Sequence, residues 1–206
     1  MGERILILDY GMGNLHSVKK KIERLGVNPV ISSSSDEIVL ADKIILPGVG
    51  HFTQAMDNLN QLGLIDALNK AVLEDGKPIL GICLGMQLMA KHSEEGNVEG
   101  LGWFDANVVK FSVKNKLKYK IPHTGWNQIK FSKESRLMDG VDNLSEFYFV
   151  HAYHIELNNA EDELNKTIYE HEFSSAIEKN NIFGVQYHPE KSHDVGDVLL
   201  KNFIEL

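Results

Sequence analysis

The sequence has little of three features that would each indicate a class of protein. It contains one cysteine, so no disulfide can form within the chain, and a single free thiol fits a reducing compartment. It has no apolar run near the roughly 18 residues that cross a membrane. Positive charge is also scarce, with 21 Lys and Arg against 29 Asp and Glu. The net charge of −8 argues against a general binder of nucleic acid or anionic membranes.

The remaining composition is that of a soluble globular protein. Hydrophobic residues make up 43% and charged residues 24% of the 206 positions, and a chain of this length buries about 70% of its unfolded surface. No linker, repeat or low-complexity segment interrupts it, so we expect one domain over residues 1–206. Only four consecutive apolar residues precede Asp9, which favours a first strand over a signal peptide. We therefore expect a cytoplasmic protein.

The first half of the chain alternates strand-like and helix-like patterns. Apolar runs predict strands at residues 4–8, 28–31, 43–46 and 78–82. Periodic apolar positions predict helices at residues 15–25, at 62–73 and from Leu84 onward. This β-α-β-α order predicts an α/β fold with a mostly parallel, twisted sheet and helices on both faces. The turns DYGMGN and PGVG and the lone cysteine each follow a predicted strand, so we expect them at one edge of the sheet.

The second half has a different pattern, in which short strand-like runs are separated by turn residues. These runs predict antiparallel additions to the sheet, followed by a helix at residues 195–203. The predicted strands are residues 107–111, 116–121, 128–131, 147–151, 167–170 and 183–187.

The lone cysteine lies at a break flanked by glycines. In the stretch GICLG, Cys83 joins an apolar run to a helix-like segment, with Gly81 and Gly85 two residues to either side. A strand, a sharp turn and a helix form the geometry of a nucleophile elbow, and the first N–H groups of a helix favour a thiolate. The alternative is a small buried hydrophobe, since free cysteines are often buried. The spacing alone leaves both interpretations open.

A cysteine nucleophile needs a base and a third group that orients the base. The segment GVQYHPEKS offers His188 and Glu190, which project from the same side of an extended chain because they are two residues apart. A surface loop with a coincidental His and Glu is the alternative. N–H donors for an oxyanion would come from Leu84 and from the turn at Val49 and Gly50, which is otherwise an ordinary strand-ending turn.

Two other patterns have mainly structural interpretations. The set of His151, His154, His188 and His193 could suggest a metal site. However, the odd spacing of His151 and His154 would place them on opposite faces of a strand, so we expect no metal. Four lysines alternate over residues 114–120 and predict a solvated edge strand, with a docking site for an anionic ligand or partner as the alternative.

Together these motifs resemble those of the class I (triad) glutamine amidotransferases. They are most similar to the glutaminase subunits of imidazole glycerol phosphate synthase, and they run from residue 9 to residue 192. The resemblance implies that Cys83 attacks the side-chain amide of L-glutamine, with His188 as the base and Glu190 as the orienting acid. The matching segments are DYGMGNLHSVKKKIERLG, ILPGVGHF, GICLGMQLM, SEEGNVEGLG, IPHTGWNQI, FYFVHAYH and GVQYHPEKS.

The resemblance also implies a heterodimer with a (β/α)₈-barrel cyclase and no cofactor. Ammonia would pass through the barrel to a ribulosyl-formimino nucleotide, which gives imidazole glycerol phosphate and AICAR. The PGVG turn would complete the oxyanion hole only with the partner bound, so the isolated subunit would be nearly idle. The positions that match the glutamine pocket are Gly50, Gln87, Glu95, His151, Ala152 and Tyr153. The positions that match the partner interface and gate are Asn14, Trp126, Tyr148 and Lys191.

Two departures from the family pattern leave the ammonia acceptor open. Ala152 stands where the family commonly has Ser or Thr, so a hydroxyl contact to glutamine is missing. The segment at residues 112–120 is longer and more basic than usual. The same glutaminase chemistry could serve another barrel partner, such as one that adds nitrogen to a surface-polysaccharide sugar. A regulatory protein without activity and a cysteine peptidase are further alternatives, and the intact triad disfavours the first.

Overall fold

Five parallel strands form one half of the central sheet. The computed structural model describes residues 3–206, and these strands are β1 Ile5–Leu8, β2 Val30–Ser32, β3 Lys43–Gly48, β4 Ile79–Cys83 and β13 Ile182–Val185. Their order across the sheet is β2-β1-β3-β4-β13, and every neighbouring pair is parallel. The late strand β13 therefore lies directly beside β4. The parallel sheet predicted from the first half of the chain is confirmed.

Antiparallel strands extend the sheet from β13 outward. Beyond β13 the order is β12-β10-β7-β5-β6, while β11 joins β12 to β8 and β8 pairs with β9. Most of these pairs are antiparallel, as predicted, and the β5–β7 pair is parallel. The bounds are β5 Ala90–Ser93, β6 Val98–Glu99, β7 Phe104–Lys110, β8 His123–Phe131, β9 Glu146–His151, β10 Tyr153–Leu157, β11 Glu163–Tyr169 and β12 His171–Lys179.

Helices cover both faces of the sheet. On β1, Leu6 and Leu8 pack into one core with α2, α3 and α4, whereas Ile5 and Ile7 pack into a second core with α1 and α6. Burial on both faces explains why these strands are continuous apolar runs. None of the helices within residues 3–206 has the length and apolar character needed to cross a bilayer. The bounds are α1 Leu15–Arg24, α2 Ser35–Leu40, α3 Phe52–Gln61, α4 Ile65–Asn69, α5 Leu84–Gln87 and α6 His193–Glu205.

Two of the helix predictions need correction. The helix predicted at 62–73 is present but starts too early in the prediction: α3 ends before Gly63, whose φ of +64° stops it, and α4 begins at Ile65 and continues as a π-helical turn, Lys70–Glu74. The helix predicted from Leu84 onward is only four residues long, and the chain then enters β5. Its residues are buried in the core, but the chain leaves the helix after one turn. Apolar periodicity over so few residues cannot show where a helix ends.

The lysine-rich segment is a loop, so the strand predicted at 116–121 is wrong. Residues 111–122 form no strand, so the solvated edge strand inferred from the alternating lysines is wrong as well. The Glu170 carboxylate holds the loop by accepting hydrogen bonds from the backbone N–H groups of Lys114 and Asn115, at 2.6 and 2.8 Å. Leu117 at its tip is 91% exposed. Side-chain capping by a distant carboxylate has replaced strand pairing here, and no local pattern could reveal it.

The turns that carry the predicted motifs lie at one edge of the sheet. β1 ends before the turn at residues 9–14, β3 ends inside the PGVG turn, β4 ends at Cys83, and β13 ends just before residues 186–190. Because these four strands are parallel, their carboxyl ends share an edge, and such edges of open α/β sheets are where ligands bind.

Candidate active site

Cys83 lies on a strained turn between β4 and α5. Its backbone has φ 55° and ψ −110°, a conformation that residues other than glycine rarely adopt. The turn packs closely on β3, because a Cβ added at Gly85 would lie 1.8 Å from the carbonyl oxygen of Leu46. The glycine therefore permits a sharp reversal at this point. The elbow geometry predicted from the spacing of the two glycines is present.

His188 and Glu190 form a buried pair beside the cysteine. His188 Nδ1 lies 2.8 Å from Glu190 Oε1, and both side chains are almost fully enclosed. Burial alone would lower the pKa of His188, but the Glu190 carboxylate and the nearby Cys83 sulfur outweigh it and raise the pKa. Within residues 3–206, His188 Nε2 has no hydrogen-bond partner, so the Cys83 sulfur influences the ring through its charge. The ring is placed to exchange a proton with Cys83.

Ser192, which the sequence analysis missed, fixes the backbone of the histidine segment. Its hydroxyl donates to the carbonyl of His188 at 2.6 Å and accepts from the N–H of Tyr148 at 3.0 Å. The N–H of His188 in turn donates to the Tyr148 carbonyl at 2.9 Å. These bonds tie the turn Pro189–Lys191 to β9 and hold the backbone N–H and carbonyl of His188. The only sequence signal was its position two residues after Glu190.

A cavity of about 190 Å³ opens beside the cysteine. It brings together Cys83, all three positions predicted for the oxyanion hole and all six positions predicted for the glutamine pocket. His188 and Glu190 lie behind the sulfur and outside the lining. The lining residues are Val49, Gly50, Cys83, Leu84, Gln87, Glu95, Pro122, Val150, His151, Ala152 and Tyr153.

Glu95 gives this cavity a negative charge. One of its oxygens accepts the backbone N–H of Phe52 at 2.8 Å, and its carbonyl accepts the hydroxyl of Thr53 at 3.3 Å. Both donors belong to the first turn of α3, which directly follows the PGVG turn. Glu95 is thus anchored at a helix N-terminus, where a carboxylate is stabilised. An anchored carboxylate in a small cavity favours a ligand that carries a cationic group, such as an amino acid.

Comparison with known proteins assigns the family. A model of the family described as glutamine amidotransferase class-I matches residues 6–206. The chain belongs to this family. Among curated relatives, it is 50% identical over 201 residues to imidazole glycerol phosphate synthase subunit HisH 2 of Methanococcus maripaludis, with 98% of both chains covered. It is 42% identical over 202 residues to subunit HisH 2 of Pseudomonas aeruginosa, with 98% and 99% covered.

Two solved structures have the same fold as this chain. A chain of PurLQS from Thermotoga maritima superposes with a TM-score of 0.75 at 16% identity, over 100% of this chain and 99% of that one. The glutaminase domain of the Trypanosoma brucei CTPS, solved with acivicin bound, gives 0.67 at 19% identity, over 98% and 94%. Identities this low establish the shared fold alone.

His151, on the wall of the cavity, is held in the neutral form. Burial holds the pKa of His151 well below its usual range, and its Nδ1 lies 2.8 Å from the Tyr153 carbonyl. A carbonyl can only accept, so Nδ1 carries the proton and Nε2 accepts from His123 Nδ1 at 3.0 Å. His151 therefore has no lone pair free to act as a base.

The prediction that His151 and His154 face opposite sides is wrong. Both rings pack on Phe111, with centroids 5.2 and 4.5 Å away. The strand is interrupted at Ala152, between β9 and β10, so the alternation of side chains along a single strand does not apply. Within the described residues, no group of three or more His, Cys, Asp or Glu is arranged to hold a metal.

Three of the four predicted interface positions form one cluster. The indole of Trp126 lies 6.0 Å from the Tyr148 ring and stacks on His193 at 4.8 Å, and the ammonium of Lys191 lies 5.6 Å above Tyr148. Trp126 is 44% exposed. Asn14 is separate: it caps α1 by accepting the N–H of Ser17, and α1 contacts the turn that carries Lys191.

Proposed function

We propose that this chain is the glutaminase subunit of an imidazole glycerol phosphate synthase. It hydrolyses L-glutamine to glutamate and ammonia, with Cys83 as nucleophile, His188 as base and Glu190 as orienting acid. The observation that carries the proposal is the buried His188–Glu190 pair beside a cysteine on a strained turn, at the wall of a cavity with one anchored carboxylate. A surface cysteine or a core cysteine would need none of these arrangements.

The reaction follows from the positions of these groups. The Cys83 thiolate adds to the amide carbon of glutamine. The resulting oxyanion accepts hydrogen bonds from the backbone N–H groups of Leu84 and of the turn at Val49 and Gly50. His188 then gives its proton to the amide nitrogen and the carbon–nitrogen bond breaks. Ammonia departs, and the acyl group remains on Cys83 as a thioester. Water attacks the thioester while His188 takes a proton, and glutamate departs as the thiolate reforms.

The cavity supports glutamine as the substrate. The Glu95 carboxylate would pair with the substrate's amino group, and the buried amide of Gln87 and the backbone at Gly50, Ala152 and Tyr153 offer polar atoms around the remainder. Ala152 supplies no hydroxyl, so backbone groups take over that contact. His151, which the structure holds neutral, forms part of the wall and takes no part in proton transfer.

The relatives that are named as synthase subunits support a second subunit as the ammonia acceptor. We propose that this partner is a (β/α)₈-barrel cyclase, that the two proteins work together in the cytoplasm, and that the barrel docks at Asn14, Trp126, Tyr148 and Lys191. Ammonia would then reach a ribulosyl nucleotide without entering bulk water. Lys191 of the exposed aromatic cluster follows Glu190 directly along the chain, which supports a docking face near the residues that release ammonia.

A second candidate is the same chemistry with another barrel partner. Relatives from Methanococcus maripaludis, Campylobacter jejuni and Pseudomonas aeruginosa have numbered names, HisH 1 or HisH 2, as names are numbered when an organism has more than one such subunit. A second copy is free to serve a different acceptor. The loop at residues 111–122 adds an exposed Leu117 among lysines, which would suit a different docking partner.

Glutamate release from L-glutamine tests both candidates. The protein is assayed alone, with a histidine-pathway barrel cyclase, and with that cyclase and its ribulosyl nucleotide, beside Cys83→Ala and the exposed control His16→Gln. Strong activation by the cyclase that only Cys83→Ala abolishes supports the first candidate. Cys83-dependent turnover that this cyclase does not stimulate favours another acceptor. The absence of turnover under every condition would contradict the glutaminase proposal.

A further inference from the structure

A buried glutamine, Gln186, contacts the sulfur of Cys83. It follows β13 directly, is fully buried, and its backbone N–H donates to the Ser175 carbonyl at 2.8 Å. Its side-chain Nε2 lies 3.5 Å from Cys83 Sγ, which is hydrogen-bond distance for sulfur. The other polar atom near the sulfur is the Val150 carbonyl, 3.9 Å away. The sulfur therefore has one donor and one acceptor as neighbours in addition to His188.

The orientation of the Gln186 amide follows from its neighbours. Gln87 Nε2 lies 3.0 Å from the Tyr153 carbonyl and 2.9 Å from Gln186 Oε1. The Tyr153 carbonyl can only accept, so Gln87 must present its NH₂ group in that direction. The second hydrogen of the same NH₂ group then requires an oxygen from Gln186. The NH₂ group of Gln186 is thereby directed at the sulfur, because a flipped Gln186 amide would place its NH₂ group against the NH₂ group of Gln87.

The Tyr153 carbonyl is itself held in place. It also accepts the Nδ1 proton of His151, which is neutral, at 2.8 Å, and His123 donates to the far side of that ring. The series of bonds thus runs from the cross-strand histidine pair through one backbone carbonyl and two glutamine amides to the sulfur. Every side chain in it is buried, so water does not compete for these bonds.

We propose that Gln186 is a further catalytic residue, which donates an N–H to Cys83 Sγ and stabilises the thiolate, and that Gln87 positions its amide. A thiolate accepts a hydrogen bond better than a thiol does, so this donor favours the charged nucleophile. The Val150 carbonyl interacts favourably only with the thiol. The proposal rests on the proposed function, because it assigns Gln186 to the nucleophile of that reaction.

Alkylation of Cys83 by iodoacetamide tests this directly, because the chain has no other cysteine. The rate is measured against pH for the full-length wild type, Gln186→Leu, Gln186→Glu and Gln87→Met. Thr167→Val is the matched control, since it removes a buried 2.8 Å hydrogen bond to Ser175 without touching the sulfur. His188, Tyr10, His151 and Glu95 also face the sulfur or its cavity, with Glu190 behind His188, and all variants retain them.

We expect the pH midpoint of alkylation to rise by about one unit in Gln186→Leu, the loss expected for one hydrogen bond to a charged sulfur. At pH values below the midpoint the rate of alkylation then falls roughly tenfold. Gln186→Glu, which keeps the shape of the side chain but adds a carboxylate, should raise the midpoint further. Gln87→Met should move it in the same direction by less, and Thr167→Val should lower thermal stability without moving it.

An unchanged midpoint in folded Gln186→Leu or Gln186→Glu would overturn the proposal. Because alkylation needs no glutamine, the two hypotheses can fail separately. A wild type that releases glutamate and whose variants keep the wild-type midpoint leaves the glutaminase intact and removes Gln186 from its mechanism. A shifted midpoint in a protein that never hydrolyses glutamine would preserve the hydrogen bond and contradict the proposed reaction.

Discussion

Lowering the pH should destabilise this protein through its buried histidines. His123 and His154 are 3% and 4% exposed, and burial lowers the pKa of each to about 4 from an ordinary value of 6.5. Between these two values the unfolded chain binds more protons than the folded one. The two histidines therefore do not reduce the free energy of unfolding above about pH 6.5, and they reduce it increasingly as the pH falls toward 4.

The size of the loss follows from these values. At about pH 5, a group whose pKa drops from 6.5 to 4 on folding removes roughly 2 kcal/mol of stability. His123 and His154 together then remove about 4 kcal/mol, a large part of the roughly 5–15 kcal/mol that stabilises a domain. His151, whose pKa is lowered by the same burial and by the neighbouring histidines, acts in the same direction.

Urea unfolding at about pH 7 and pH 5, followed by tryptophan fluorescence, measures this loss. His154→Gln removes one titrating ring, so the difference in unfolding free energy between the two pH values should shrink by roughly 2 kcal/mol. His16→Gln on the exposed side of α1 is the control and should keep the wild-type difference. Carboxylates that titrate in this range act equally in all three proteins. An identical pH difference in His154→Gln and wild type would refute the reasoning.

Two further predictions concern the residues around the nucleophile. Gly85→Ala places a methyl group 1.8 Å from the Leu46 carbonyl, so we expect a loss of roughly 2–4 kcal/mol in urea unfolding together with loss of glutaminase activity. Glu190→Gln leaves a neutral partner for His188, so kcat should fall roughly a hundredfold or more while the melting temperature changes little. A Glu190→Gln enzyme with the wild-type kcat would contradict the role of the carboxylate.

The parts of the site that sequence could predict are local. Cys83 with its two glycines, and His188 with Glu190, each fit within a few residues, so their geometry follows from the conformation of one turn. The buried pairs that complete the site are not local. Gln87 and Gln186 are 99 residues apart, and His123 meets His151 only because β8 and β9 pair in one particular register. Register depends on the whole sheet, which a pattern of single residues does not contain.

The wrong predictions have the same origin. Alternating lysines fit a strand at residues 114–120, but Glu170, 55 residues beyond Asn115, fixes the backbone as a loop. The helix predicted at 62–73 had the right residue types and the wrong start, because Gly63 has to separate two helices that lie on one face of the sheet. In both places a contact remote in sequence overrode a short-range preference.

The position of β13 between β4 and β12 has a consequence for how the protein becomes active during folding. The strand β13, which leads directly to Gln186 and His188, must insert beside the strand of Cys83, and the contact between Gln186 and Cys83 closes a loop of 103 residues. Contacts so distant in sequence form late, because the entropy of loop closure opposes them. A nascent chain that lacks its last 25 or so residues holds the cysteine without its base. Activity should therefore emerge only when the final segment is in place, and its recovery would report completion of the central sheet.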